Sequence, residues 1–392
     1  MKKTVIIIAA LWANFSLYAQ NRIDSVLLSI EENNTTLKAL RETAGAQKLE
    51  NRTGIYLSAP EAGINYLWGK PGDIGKRTDI SVKQTFDIPT ITGMKSRLAD
   101  GRNNLLDWQY KAGRMDILLE AKLYCIDLVY YNALKRELDL RRQHAEIIAE
   151  GYKARLDRGD VNQLEYNKVQ LNLSTVQGEI SRVEVERKAL LSQLKSLNGD
   201  KEIVLDDSQY TPSQLPPDFE GWYGQAEQKN PELAYVKQEV EVSKKQVSLS
   251  KAMGLPAFSA GYMSEKVIGQ QYQGITLGIS IPLWENKNRV KQAKAAVRAA
   301  GSREMDSKQQ FYSRLRTLYD RAGGLKELAD GYRRSLATVN NTHLLKKALD
   351  AGEISLLDYI VEIGLYYTTV NQVLEAERDY RKAFAELSAV EL

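Results

Sequence analysis

Cysteine is almost absent from this 392-residue chain. Cys125 stands alone, so no disulfide can join two parts of one copy, and no cysteine lies near the N-terminus to carry an acyl anchor. Histidine is nearly absent too. His144 and His343 have no ligand cluster around them in the sequence, and no nucleophile–histidine–acid set, phosphate loop or metal-ligand spacing is visible. No catalytic residue, metal or cofactor is therefore expected, and an enzyme is the weakest reading. An excess of charge of one sign is also missing: the net charge is only +4, which removes the electrostatic case for nucleic acid as a partner. Long hydrophobic runs are missing as well. After the first twenty residues no stretch reaches the roughly 18 apolar residues of a spanning helix.

The first residues are different. Lys2 and Lys3 precede a short apolar core, Val5 to Leu11, and Leu17-Tyr18-Ala19 ends in a small residue. Residues 1–19 read as a secretory signal peptide. Losing Lys2 and Lys3 with it lowers the net charge from +4 to +2. A secreted chain with no spanning helix is periplasmic, extracellular or housed in an outer membrane.

What the chain does have is an internal duplication. In "RLDRGDVNQLEY" at 155–166, Leu156, Asp157, Gly159, Leu164 and Tyr166 recur as Leu349, Asp350, Gly352, Leu357 and Tyr359 in "ALDAGEISLLDY" at 348–359. "FDIP" at 86–89 matches "ISIP" at 279–282 with the same offset of 193, and "NTTL" at 34–37 matches "NPEL" at 230–233 with an offset of 196. The chain divides into a first repeat at 20–198, a Pro-rich inter-repeat linker at 199–229 with room for one short strand, and a second repeat at 230–392.

Each repeat reads in the same order: a first helix (22–57; 231–253), two strands, a very long helix (93–157; 286–350), a glycine break and a last helix (161–198; 354–391). Val169, Leu173, Val176, Ile180, Val183, Leu190, Leu194 and Leu197 make a heptad seam. Tyr366, Thr369, Val373, Ala376, Tyr380, Ala383, Leu387 and Val390 make a second, weaker one. Each long helix, about 100 Å at 1.5 Å per residue, is expected to pair antiparallel with the helix after its break. Gly101, Gly113 and Gly151, and Gly301, Gly323, Gly324 and Gly331, predict bends or interruptions.

The strands alternate with period two. Ala62, Ile64, Tyr66 and Trp68; Ile80, Val82, Phe86 and Ile88; Phe258, Ala260 and Tyr262; and Ile275, Leu277, Ile279 and Ile281 mark apolar faces. Each segment is about ten residues, enough to cross a bilayer as a tilted strand. The same segments would also serve as two exposed hairpins on a soluble protein. Four strands cannot close a barrel, and an open edge cannot face lipid. In a membrane, several copies must share one barrel, and three would supply twelve strands. Gly159 and Gly352 mark turns that need positive φ. Asn162 with Glu165, and Ser355 with Asp358, have capping-box spacing.

The duplication, the strand–proline–long-helix junctions at Pro89 and Pro282, and a glycine tip followed by a heptad helix together resemble the outer-membrane efflux proteins, the TolC-like channel-tunnels. The resemblance covers essentially the whole chain after the leader. It implies a mainly α fold with a small β part. Long antiparallel helical hairpins form an α-barrel in the periplasm, and four transmembrane strands per protomer complete a trimeric 12-stranded barrel in outer-membrane lipid. It implies a passive efflux conduit whose partners are a homotrimer's other copies, a periplasmic membrane-fusion (adaptor) protein and, indirectly, an inner-membrane pump. Arg155, Asp157, Gly159, Asp350 and Gly352 would lie at the tips that meet the adaptor. Glu165, Asp358 and Glu362 would be pore-constriction residues, a role the capping reading of Glu165 and Asp358 competes with. The alternative from a different class is a periplasmic coiled-coil adaptor or scaffold. It accounts for the helices and the leader, but not for two hairpins beside four bilayer-length strands.

Overall fold

A computed structural model describes residues 22–69, 75–86, 88–284, 286–338 and 342–392. The expected signal peptide lies outside them. In chain order the elements are α1 (Arg22–Asn33), α2 (Thr35–Glu50), β1 (Glu61–Trp68), β2 (Lys76–Phe86), α3 (Pro89–Asp157), α4 (Gln163–Leu197), α5 (Phe219–Lys229), α6 (Pro231–Ala252), β3 (Ala257–Val267), β4 (Gln270–Ser280), α7 (Arg289–Thr338), α8 (Thr342–Asp350) and α9 (Leu356–Leu387), closed by a 3-10 turn at Ala389–Glu391.

Several boundaries differ from the sequence reading. The first helix is two helices ending at Glu50, because buried Asn34 accepts the Leu37 N–H at 2.8 Å and so starts a new helix. Asn230 does the same, accepting the Leu233 N–H at 2.8 Å, with Pro231 in the first helical turn. Its partner helix α5 occupies part of the segment read as a linker, and no strand forms in the remainder. The expected glycine interruptions do not occur. The 69-residue α3 runs through Gly101, Gly113 and Gly151, and α7 runs through Gly301, Gly323, Gly324 and Gly331. A helical glycine costs about 1 kcal/mol, little beside the packing of a helix this long. The second long helix instead resolves into α7 and α8 on either side of 339–341, which lie outside the described residues.

The chain forms two compact units: the chain up to Lys38 with Gly113–Ala226 and Tyr312–Leu392, and Ala39–Ala112 with Glu227–Phe311. In the first, α3 packs between α4 and α9. Leu118, Ala121, Cys125 and Leu128 share a buried cluster with Leu190 and Leu194 of α4, and Val26, Leu27 and Ile30 of α1 close its end. Further along, the Arg187 Nε donates to Asn132 Oδ1 at 2.7 Å, and Lys135 pairs with Glu184. Rising numbers on α3 meet falling numbers on α4, so the hairpin is antiparallel as expected. On the other side of α3, the Arg141 guanidinium donates to Asn371 Oδ1 at 2.8 Å, and Lys382 donates to Asp127 at 2.8 Å. The weaker seam is well used: Val373, Ala376, Tyr380, Ala383 and Leu387 are all buried. Small Ala383 shares a cluster with fully buried Ala322 of α7 and with Tyr380. Residues of 199–218 lie along α3, where the Asn132 amide donates to Leu205 O and Asp207 O, both at 2.9 Å.

The second unit holds one four-stranded antiparallel sheet in the order β1-β2-β3-β4. β2 and β3, from different repeats, pair along their length, for example Val82 opposite Tyr262 and Phe86 opposite Phe258. A two-residue turn at Ile268-Gly269, both with positive φ, joins β3 to β4. Helices leave the sheet at the opposite end, where Ile91 and Leu98 of α3 bury against Leu249 and Ala252 of α6.

Candidate functional site

Two places carry the functional geometry: the paired glycine breaks and the two faces of the sheet.

At the first break, the Gly159 N–H donates to Leu156 O at 2.9 Å and the Asp160 N–H to Arg155 O at 2.8 Å. At the second, the Gly352 N–H donates to Leu349 O at 3.1 Å and the Glu353 N–H to Ala348 O at 2.9 Å. This pair of bonds is the Schellman helix stop, which needs a left-handed residue at its C′ position. Gly159 and Gly352 supply it with φ of +75° and +72°. The recurring sequence is thus a recurring backbone device, repeated bond for bond at the offset of 193.

The helix starts that follow are nearly equivalent. Asn162 Oδ1 accepts the Glu165 N–H at 3.0 Å. Ser355 Oγ accepts the Asp358 N–H at 3.1 Å, and the Asp358 carboxylate accepts the Ser355 N–H at 3.2 Å, which completes a capping box. Asp358 therefore caps α9, yet it remains exposed, as does Glu362 one turn on. Leu356, Tyr359 and Ile363 take the buried face, and the two acids share the opposite one. Glu165 is partly buried in the first turn of α4. Arg155 is exposed with its guanidinium 5.2 Å from the Tyr152 ring centre.

The two breaks pack together. Ala149, Tyr152, Val169 and Leu356 form one buried cluster with Val161, Tyr166 and Ile360 around it, so residues of both repeats share one apolar centre. Burial raises the pKa values of Tyr152 and Tyr359 above that of a free tyrosine.

The sheet has two chemically opposite faces. On one, the register sets Ala62, Val82, Tyr262 and Ile275 in a row, then Gln84, Ala260 and Leu277, then Phe86, Phe258 and Ile279. Its apolar side chains are open, Ile275 and Leu277 being 81% and 82% exposed. On the other face lie Asn65, Asp79, Glu265 and Tyr272, and Glu61 opposite Lys83. There the Arg77 Nε reaches Asp79 at 2.8 Å and Glu265 at 3.1 Å. A largely exposed apolar face backed by a polar one is the pattern of a strand pair between lipid and an aqueous lumen.

Residues 222–390 match the family model of the outer membrane efflux proteins. Over 94% to 95% of its length the chain has the fold of outer-membrane channels. It superposes on CusC with a TM-score of 0.79 at 12% identity, covering 95% of this chain and 92% of that one. The Campylobacter jejuni CmeC channel gives 0.72 at 15% identity, covering 94% and 85%. Vibrio cholerae VceC gives 0.76 at 11% identity, covering 94% and 95%. No curated protein matches the chain in sequence.

Two features of this fold are not directly legible in the sequence. Lys153 pairs with Asp157 at 2.9 Å, and Lys346 pairs with Asp350 at 2.6 Å. These ion pairs are again 193 apart, so the repeat itself was the available signal. The second feature is a cavity of about 220 Å³ near the tips, lined by both histidines, His144 and His343, with Ile147, Ile148, Tyr359 and Ile363. His144 Nδ1 lies 3.2 Å from the Tyr367 hydroxyl. Nothing in their spacing, 199 residues and out of register with the repeat, predicts that they converge. Among the described residues no group of three or more His, Cys, Asp or Glu side chains is placed to hold a metal ion.

Proposed function

We propose that this chain is the outer-membrane channel of a tripartite efflux pump, a passive conduit that exports small molecules or metal ions from the periplasm to the exterior and does no chemistry itself. The observation that carries the proposal is the two-faced sheet. Its apolar face is open to lipid, and β1 and β4 are its edges. Edge N–H and C=O groups cannot be left unsatisfied in hydrocarbon. β1 of one copy pairing with β4 of the next removes the edges, and three copies give a closed barrel of twelve strands. The antiparallel hairpins α3–α4 and α7–α9 then form a helical barrel in the periplasm, closed by six tips in the trimer.

In this assembly Arg155, Asp157, Gly159, Asp350 and Gly352 are presented at the tips to a membrane-fusion (adaptor) protein that is itself bound to an inner-membrane pump. Asp358 and Glu362, exposed on one face of α9, together with Glu165 are the pore-constriction residues. The energy for export comes from the pump. Separation of the inner membrane, the outer membrane and the soluble periplasm tests the placement. The protein is expected in the outer-membrane fraction, and recovery in the soluble fraction overturns the proposal.

A further inference from the structure

Along the outward, apolar face of the sheet, the described residues include two charged side chains, and both are lysines. Lys76 stands opposite Trp68 on β1, and Lys266 stands between Thr78 on β2 and Gln271 on β4. They are diagonal neighbours on adjacent strands, a separation of roughly 7–8 Å between such positions. Both are exposed. The Lys76 ammonium lies 5.9 Å from the Tyr66 ring centre, and neither lysine makes an ion pair among the described residues. Arg77, next in sequence, points to the other face and is neutralised there by Asp79 and Glu265.

Position decides what these cations meet. The lysines are at the hairpin end of the strands, away from the helices, beside Tyr66 and Trp68. Towards the helices the same face carries Ile80, Val82, Ile275, Leu277 and Ile279 and no charge. A cation on a lipid-facing strand is costly in the hydrocarbon and tolerated at the headgroups, where aromatic side chains also gather. Both charges stand at that one level, both are positive, and neither pairs with a carboxylate among the described residues. A complementary anion at that level is available from lipid headgroups.

We propose that Lys76 and Lys266 form a binding site for the phosphate groups of a phosphorylated glycolipid in the outer leaflet, one site per copy. This rests on the outer-membrane reading, which puts the hairpin end in that leaflet. Each lysine near an anionic surface strengthens binding by about fivefold, and the bound lipid holds β2 and β3, strands of different repeats, together at their outer end.

The test uses the full-length protein in phosphatidylcholine nanodiscs, with binding of a diphosphorylated glycolipid and of its dephosphorylated form followed by native mass spectrometry. Wild type is expected to prefer the phosphorylated lipid. The double variant Lys76→Gln, Lys266→Gln should lose that preference while still inserting. Lys76→Arg with Lys266→Arg should retain it, which separates charge from any packing effect. Equal binding of the two lipids by wild type, an unchanged preference in the glutamine variant, or competition by inorganic phosphate at equal concentration would each overturn the site. Failure of wild type to insert at all would instead overturn the channel reading beneath it.

Discussion

Ser355 and Asp358 hold each other reciprocally at the start of α9: the hydroxyl accepts the Asp358 N–H at 3.1 Å and the carboxylate accepts the Ser355 N–H at 3.2 Å. The same carboxylate is exposed one turn before Glu362. Cap and pore charge can be separated by substitution. In Asp358→Asn the amide oxygen still accepts the Ser355 N–H, but the charge is gone. In Asp358→Ala both are gone. Asp358→Asn is expected to alter single-channel conductance or cation block at nearly unchanged thermal stability. Asp358→Ala also breaks the capping box, a loss of about 0.3–1.5 kcal/mol at the helix start. Wild-type channel behaviour in both variants would leave Asp358 a cap alone.

Gly352 has open space where a Cβ would go, so only its φ of +72° resists substitution. Gly352→Ala should cost about 1–2 kcal/mol, the penalty of the left-handed conformation. Gly352→Asn should cost less, because asparagine tolerates that region. Hydrogen exchange at the Glu353 amide, bonded to Ala348 O, would read the loss locally, and Gly159→Ala should behave alike at Asp160.

Leu277 and Thr276 are adjacent on β4 but face opposite ways, Leu277 being 82% exposed. Leu277→Lys puts a charge into lipid at a cost of about 2–4 kcal/mol near the midplane and should deplete the outer-membrane fraction. Thr276→Lys puts the same charge on the polar face and should be tolerated. Equal insertion of the two variants would mean that neither face meets lipid.

Much of this was legible because it depends on local rules. The period-two strands, the heptads and the Gly159 and Gly352 stops each follow from a few consecutive residues. The break at Asn34 is not legible locally, because asparagine is acceptable inside a helix until its side chain finds a backbone partner, here also Leu197 O at 2.7 Å, 163 residues away. α5 is hidden for a related reason: its counterpart α1 runs on in sequence into α2 without a proline or glycine to mark the boundary. The sharing of one buried cluster by Tyr152 and Leu356, and the convergence of His144 and His343 on one cavity, depend on how helices of the two repeats pack. No spacing within either repeat encodes that.

Burial pushes the Cys125 thiol from 9.0 up to about 12, and pushes Tyr130 and Tyr367 from 10.0 up to about 12. All three are neutral when protonated, so the folded chain keeps protons that the unfolded chain releases in alkali. Their contribution to stability is complete below about pH 9 and is lost as pH rises towards 12. Thermal unfolding should fall in midpoint between about pH 8 and about pH 11, and Cys125 should resist alkylation until the chain unfolds. Rapid native labelling at neutral pH would contradict this packing of α3 against α4.

The most direct test of the account is the mass of the detergent-extracted protein by light scattering. The open edges of β1 and β4 predict a trimer, with the detergent belt around the sheet subtracted. A stable monomer would contradict the shared barrel, and with it the channel.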